Sequence, residues 1–227
     1  MKVLTYFEPL KGDGFAQEID LLRVMVDSWR AAGFDVLVIG ERDYRRHELA
    51  DNLTWMPTCN PEDYEMACWR RWLAAAAVTG FGEERVLCLD LDVINCGLRP
   101  DDLKDTAFRG RLTALHPALT PAVIASKGQL DRWAKLCVGP CKPAYYDGVE
   151  HHSDMILAQQ HPEIWDRLDV VRDFAGWGDV APAVHLSHYS TRGSNRLALA
   201  KDVAKLGLSR LESATSRGST AASVGCR

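Results

Sequence analysis

Apolar residues recur along this chain in two rhythms. Residues 3–7 form a short β-rich apolar run, after which Ile19, Leu22, Val26 and Trp29 repeat at helical spacing up to Gly33, a residue suited to ending a helix. Residues 36–39 read Val-Leu-Val-Ile and close at Gly40, the pattern of a strand buried on both faces of a parallel sheet. A first β-α-β unit is complete there. Asn60 as cap, Pro61 at the first helical position, and Glu62 and Asp63 at the positive end of the dipole predict a second helix, running to about residue 78 and stopped at Gly80. Residues 86–89 then give another apolar strand, and it ends in Asp90-Leu91-Asp92.

The second half predicts strands over 112–115 and 122–125, a helix over 129–138, a loop over 140–146 and a short helix over 154–160. Strands over 168–171 and 183–189 follow, then a terminal helix over 196–206 with Leu199, Val203 and Leu206 on one face, stopped at Gly207. From Ser213 the chain turns to Ser, Thr, Ala and Gly, too poor in large apolar groups to offset the entropy of ordering, so 213–227 reads as a disordered tail. Strands alternating with helices define an α/β fold, a doubly wound, mostly parallel central sheet flanked by helices, with ligands at the carboxyl ends of strands. The expectation is one domain over 1–212, with halves of about 1–100 and 101–212, followed by the tail.

Composition adds exclusions. With 227 residues, 47% apolar and 26% charged, the chain is an ordinary globular one, and a net charge of −4 denies it the overall basic footprint of a nucleic-acid protein. Its 7 cysteines include no Cys-x-x-Cys, which points to free thiols in a reducing compartment. The opening apolar run stops at Glu8 and Pro9, short of a signal-peptide core, and no window reaches the roughly 20 apolar residues of a membrane span. A cytoplasmic protein without a membrane span is expected.

The chemistry concentrates at Asp90 and Asp92. Strand periodicity would set both on one face, and paired carboxylates repel unless a cation lies between them. Hard oxygen ligands of this kind suit Mn²⁺ or Mg²⁺.

A strand ending in Asp-x-Asp after two β-α units, followed by Val93-Ile94 and the segment Leu98-Arg99-Pro100-Asp101-Asp102-Leu103, resembles the GT-A glycosyltransferases, above all the family 8 (glycogenin and galactosyltransferase-like) pattern. The resemblance covers about residues 1–196. It implies a GT-A type fold, a nucleotide diphosphate sugar as donor, UDP-sugar foremost, and transfer of a hexose to an acceptor. By that resemblance Asp92 binds the metal, and Asp90 the metal or the ribose. An arginine of Tyr64-Glu65-Met66-Ala67-Cys68-Trp69-Arg70-Arg71-Trp72, either Arg70 or Arg71, lies near the nucleotide. His188, in His188-Tyr189-Ser190, completes the metal site, with His185 as the alternative. The sequence departs from the family at Thr191, where glycine is usual, and lacks the Lys-Pro-Trp that follows; Arg192, Gly193 and Arg196 are candidates for the phosphate contact. Asp154 orients the acceptor or the sugar, or serves as general base if the reaction inverts; helix capping by Ser153 or Asp154 is the plain alternative. Thr5, Tyr6 and Glu8 would hold the base and ribose. The acceptor stays open among a glycan, a protein, a small molecule and a modified nucleic acid, with Trp165, Trp177, Tyr145 and Tyr146 in the half that would face it. Two rival readings are a haloacid-dehalogenase-like Mg²⁺-dependent phosphatase, whose Asp-x-Asp usually opens its domain, and a GT-A-like domain that binds without catalysis.

Overall fold

In the computed structural model, residues 1–9, 15–56, 62–80, 85–104, 110–139, 153–187, 190–192 and 194–221 are described. The elements in chain order are β1 (Lys2–Tyr6), α1 (Phe15–Ala31), β2 (Asp35–Ile39), α2 (Glu41–Tyr44), α3 (Glu62–Val78), β3 (Val86–Leu89), β4 (Val93–Asn95), β5 (Leu112–Ala114), β6 (Ala122–Ala125), α4 (Lys127–Val138), α5 (Asp154–Gln160), β7 (Trp165–Arg167), β8 (Val171–Asp173), β9 (Ala183–His185) and α6 (Arg196–Ala221), with short 3-10 turns between some of them. The chain divides into two compact units with interleaved segments, one made of Met1–Ala16, Val36–Leu91 and Ala107–Asp169, the other of Gln17–Asp35, Asp92–Thr106 and Val170–Arg227.

The first unit is built on a six-stranded sheet of order β2-β1-β3-β6-β5-β7. β1 pairs parallel with β3 and β5 with β7, while β6 is antiparallel to both β3 and β5, so β1, β3, β5 and β7 run one way and β6 against them. Every residue of β3 is buried, as its unbroken apolar run requires. Against the sheet lie Trp69, Trp72 and Leu73 of α3 and Leu130 and Trp133 of α4, with buried Ala74, Ala75 and Ala76 in the same core. Trp133 stands edge-on to Trp72 at 5.9 Å and to Trp165 at 5.1 Å, the arrangement aromatic quadrupoles favour. β2 departs from expectation. It forms the sheet edge and carries Leu37 and Val38 at 42% and 40% exposure, so a continuous apolar run here is not buried on both faces.

The second unit holds a three-stranded sheet, β4-β9-β8, antiparallel between β4 and β9 and parallel between β8 and β9. α1 is tied to it by Trp29, whose indole N–H donates to the Val93 carbonyl at 2.8 Å, and by Ser28, whose hydroxyl accepts from the Asn95 N–H at 3.1 Å. Asn195 caps α6, its side chain accepting from the Ala198 N–H at 3.0 Å. Gly207 does not end this helix. A Cβ there would meet the Asn95 carbonyl and Cys96 Cα at 2.9 Å, so the glycine serves close approach to β4. The helical backbone continues over part of the stretch expected to be disordered, because each added residue closes one more local hydrogen bond once a helix is nucleated; residues 222–227 lie outside those described. In place of the strand expected over 168–171, β7 ends at Arg167 and β8 begins at Val171.

Candidate functional site

Asp90 and Asp92 are not held on one strand face. β3 stops at Leu89 and belongs to the six-stranded sheet, whereas Val93 opens β4 of the three-stranded one, and the two acids lie in the turn between the strands. The periodicity argument fails because the chain changes sheets at this point.

In the first unit, Asp90 follows the buried end of β3 and its N–H donates to the Pro121 carbonyl at 2.9 Å. Its carboxylate accepts from Arg71 of α3. The other terminal nitrogen of Arg71 donates to Asp154, the first residue of α5. The same Asp154 oxygen accepts the indole N–H of Trp72 at 2.8 Å. Ser153 caps α5 through Ile156, which leaves the buried Asp154 carboxylate for Arg71 and Trp72. Burial works against the Arg71 charge, and Asp154 outweighs it, so the guanidinium is held above its ordinary range. The Cys88 thiol is pushed up to about 12 by burial, with Arg71 pulling the other way. A cavity of about 10 Å³ bordered by Tyr6, Arg71, Cys88, Asp90 and Thr120 has room for about one water.

Arg70, next to Arg71 but turned to another side of the helix, donates to Glu8 at 2.6 Å and lies 5.4 Å from the centre of the Tyr44 ring. Glu8 also accepts the Tyr6 hydroxyl at 2.5 Å. Burial, then this hydrogen bond, raises the Tyr6 phenol well above its usual range. Thr5 is buried at the end of β1, and its hydroxyl finds no hydrogen-bond partner among the described residues. Tyr6, Glu8 and Arg70 are thus one cluster.

In the second unit, Asp92 is buried and receives the Leu186 N–H on its carbonyl at 2.9 Å. One carboxylate oxygen lies 3.5 Å from His185 Nε2 and the other accepts from Arg196. His185 turns its Nδ1 toward Asp173, 2.9 Å away, and Arg196 also donates from Nε to the Leu186 carbonyl at 2.8 Å. Of the two candidate histidines, His185 is the one beside Asp92, while His188 lies outside the described residues. Arg192 is exposed on a turn, and the arginine that reaches Asp92 is Arg196. Asp173 was missed altogether. Its role depends on β8 pairing with β9, with Asp173 opposite His185, and no local pattern signals that register.

The fold is the GT-A type found in glycosyltransferases, by likeness to solved structures. Among solved structures, the chain matches the galactosyltransferase LgtC in complex with donor and acceptor sugar analogs at 14% identity and TM-score 0.59, over 92% of this chain and 96% of that one. A glycosyltransferase involved in the glycosylation of the major capsid of PBCV-1 matches at 14% identity and TM-score 0.56, over 90% and 98%. Mouse xyloside xylosyltransferase 1 matches at 13% identity and TM-score 0.56, over 84% and 99%. No protein-family model matches the chain, and no curated protein matches it significantly. The phosphatase alternative gains no support from these likenesses. No helix among the described residues is long and apolar enough to cross a membrane, and Cys68, Cys88, Cys96 and Cys137 are free thiols.

Proposed function

We propose that the chain is a metal-dependent glycosyltransferase that moves a hexose from a nucleotide diphosphate sugar, UDP-sugar foremost, to an acceptor hydroxyl. The observation that carries this reading is the pairing of Asp92 with His185 on a glycosyltransferase fold. The donor atoms are 3.5 Å apart, within the reach of two ligands of one Mn²⁺ or Mg²⁺ at roughly 2.1 Å each. Asp173 behind Nδ1 is the outer carboxylate that orients a ligating histidine and leaves Nε2 for the ion. For Asp90 the Asp-x-Asp resemblance is the ground of the proposed role, at the metal or the ribose.

When bound, the ion neutralises charge gathering on the departing diphosphate. The chain's own residues do the rest. Thr5, Tyr6, Glu8 and Arg70 bind the base and ribose. Arg71 and Arg196, freed from their aspartates, face the diphosphate or the sugar as charged donors. Asp154 fixes Arg71 through its buried carboxylate and acts as a positioning group. The bond from the anomeric carbon to the diphosphate oxygen breaks with its electron pair going to the diphosphate; the acceptor oxygen bonds to that carbon and its proton is released.

Asp92→Asn is expected to lower Mn²⁺-dependent sugar-donor turnover by at least about a hundredfold, the scale of losing one preorganised charge. Unchanged turnover and unchanged Mn²⁺-dependent nucleotide binding would end this proposal. One observation favours a second reading: both aspartates are already neutralised by arginines, which suits a domain that binds without catalysis. Thermal stabilisation by UDP with Mn²⁺, but no transfer or hydrolysis across a panel of nucleotide sugars, would select it.

A further inference from the structure

The first unit holds a cavity of about 450 Å³ that the proposed mechanism does not use. Arg111 and Leu112 line it at the start of β5, and Glu163 and Ile164 line it just before β7. Asp90 instead follows the carboxyl end of β3. Since β3, β5 and β7 run one way, the cavity and the proposed donor site belong to opposite ends of the strands. Helix α4 contributes Gln129, Arg132, Trp133 and Leu136, whose spacing puts them on one helix face. The wall is held in place. Buried Gln129 accepts the Ser126 N–H at 2.7 Å and donates to the Arg111 carbonyl at 2.6 Å, which ties the approach to β5 to the start of α4. Leu112 and Trp133 are buried, Leu136 and Ile164 are half-buried, and the charged side chains Arg111, Arg132 and Glu163 are exposed. Arg111 has Asp166 at 3.7 Å and Glu163 has His161 at 3.1 Å, whereas Arg132 has no ion-pair partner among the described residues.

We propose that this cavity is a second binding site, separate from the donor site, and that it takes a small aromatic carboxylate, with its ring among Trp133, Leu136 and Ile164 and its single negative charge on Arg132. The volume falls in the range of small-molecule sites, roughly 300–1,000 Å³, whose walls are mostly apolar with a few polar groups that fix orientation. An aromatic body suits a wall that contains an indole. A guanidinium pairs with a carboxylate through two parallel hydrogen bonds, and Arg132 is the cation of this lining that no carboxylate of the chain already holds. One charge is therefore matched. A dianion would bring its second charge into a lining that includes the Glu163 carboxylate, and an uncharged ligand would leave the guanidinium unused.

The test titrates the full chain calorimetrically with indole-3-acetate, indole-3-acetamide and tryptamine, which share one ring and carry a negative, a neutral and a positive side chain. Each titration is run alone and with saturating UDP and Mn²⁺. Indole-3-acetate should bind about tenfold more tightly than the acetamide, the worth of one hydrogen bond to a charged group, and tryptamine should bind least. Arg132→Gln should abolish that preference and Arg132→Lys should keep part of it. Thermal stability and UDP binding should be unchanged in both variants, since the side chain is exposed. Absence of indole-3-acetate binding overturns the proposal, as does acetamide or tryptamine binding as tightly as the acid. A preference for the acid that survives in Arg132→Gln also overturns it. Displacement of indole-3-acetate by UDP does the same, because it places the probe in the donor site. Calorimetry does not depend on turnover. A chain that binds the acid without transferring sugar keeps the cavity and loses the enzyme reading, and a chain that transfers sugar but ignores the acid does the reverse.

Discussion

Arg196 holds the Asp92 oxygen beside the one proposed for the divalent ion. A hydrogen bond to a charged group is worth about 1.5–3 kcal/mol net, so ion binding must displace a contact of that size or share the carboxylate with it. Arg196→Met should therefore raise the affinity for Mn²⁺ in the absence of nucleotide by about tenfold, the lower end of that range, as read by electron paramagnetic resonance titration. The same variant should lose affinity for UDP, because the guanidinium no longer meets the diphosphate. Weaker Mn²⁺ binding in a variant of unchanged melting temperature would show that Arg196 supports the ion rather than competing with it. Arg71 plays the parallel part at Asp90, whose carboxylate accepts from one of its terminal nitrogens.

At the scale of elements, Gly207 sets two effects against each other. Alanine would gain roughly 1 kcal/mol of helix propensity, but its Cβ would press on the Asn95 carbonyl and Cys96 Cα at 2.9 Å, and overpacking of this kind costs about 1–3 kcal/mol. Gly207→Ala should lower the melting temperature by a few degrees; an increase would mean that β4 yields at no cost. The residue also shows what the sequence could and could not tell. A glycine after an apolar helical face looks the same whether it ends the helix or admits a neighbour, and only the position of Cys96, more than a hundred positions earlier, separates the two. Strand β3 and helices α3, α4 and α5 were legible because each is a long or well-capped local pattern. Strand periodicity gave no sign of the change of sheet between Asp90 and Asp92. Adjacent Arg70 and Arg71 could not be told apart either, since their partners Glu8, Asp90 and Asp154 come from three separate segments.

For the molecule as a whole, alkaline pH is the sensitive direction. Cys88 has its thiol raised from 9.0 to about 12 by burial, and burial together with Glu8 raises the Tyr6 phenol, so the folded chain holds both protons more tightly than the unfolded one. Their contribution is complete below pH 9.0 and is lost as pH rises toward about 12. Denaturant midpoints should fall across that window, and Cys88→Ala should flatten the early part of the fall. An equal slope in that variant would mean that the thiol does not titrate with unfolding.

Helix α6 grips its own sheet at two points. Arg196 holds Asp92 and the Leu186 carbonyl where β4 and β9 begin and end, and Arg210 donates to the carbonyls of Cys96 at 3.1 Å and Val180 at 3.1 Å beyond the opposite ends of those strands. About 21 Å of helix axis lies between these clamps. Such a rod acts as a lever with its fulcrum near Gly207, so loosening the Arg210 end would swing the Arg196 end through a larger arc. Ion affinity would then respond to a substitution made far from any ligand.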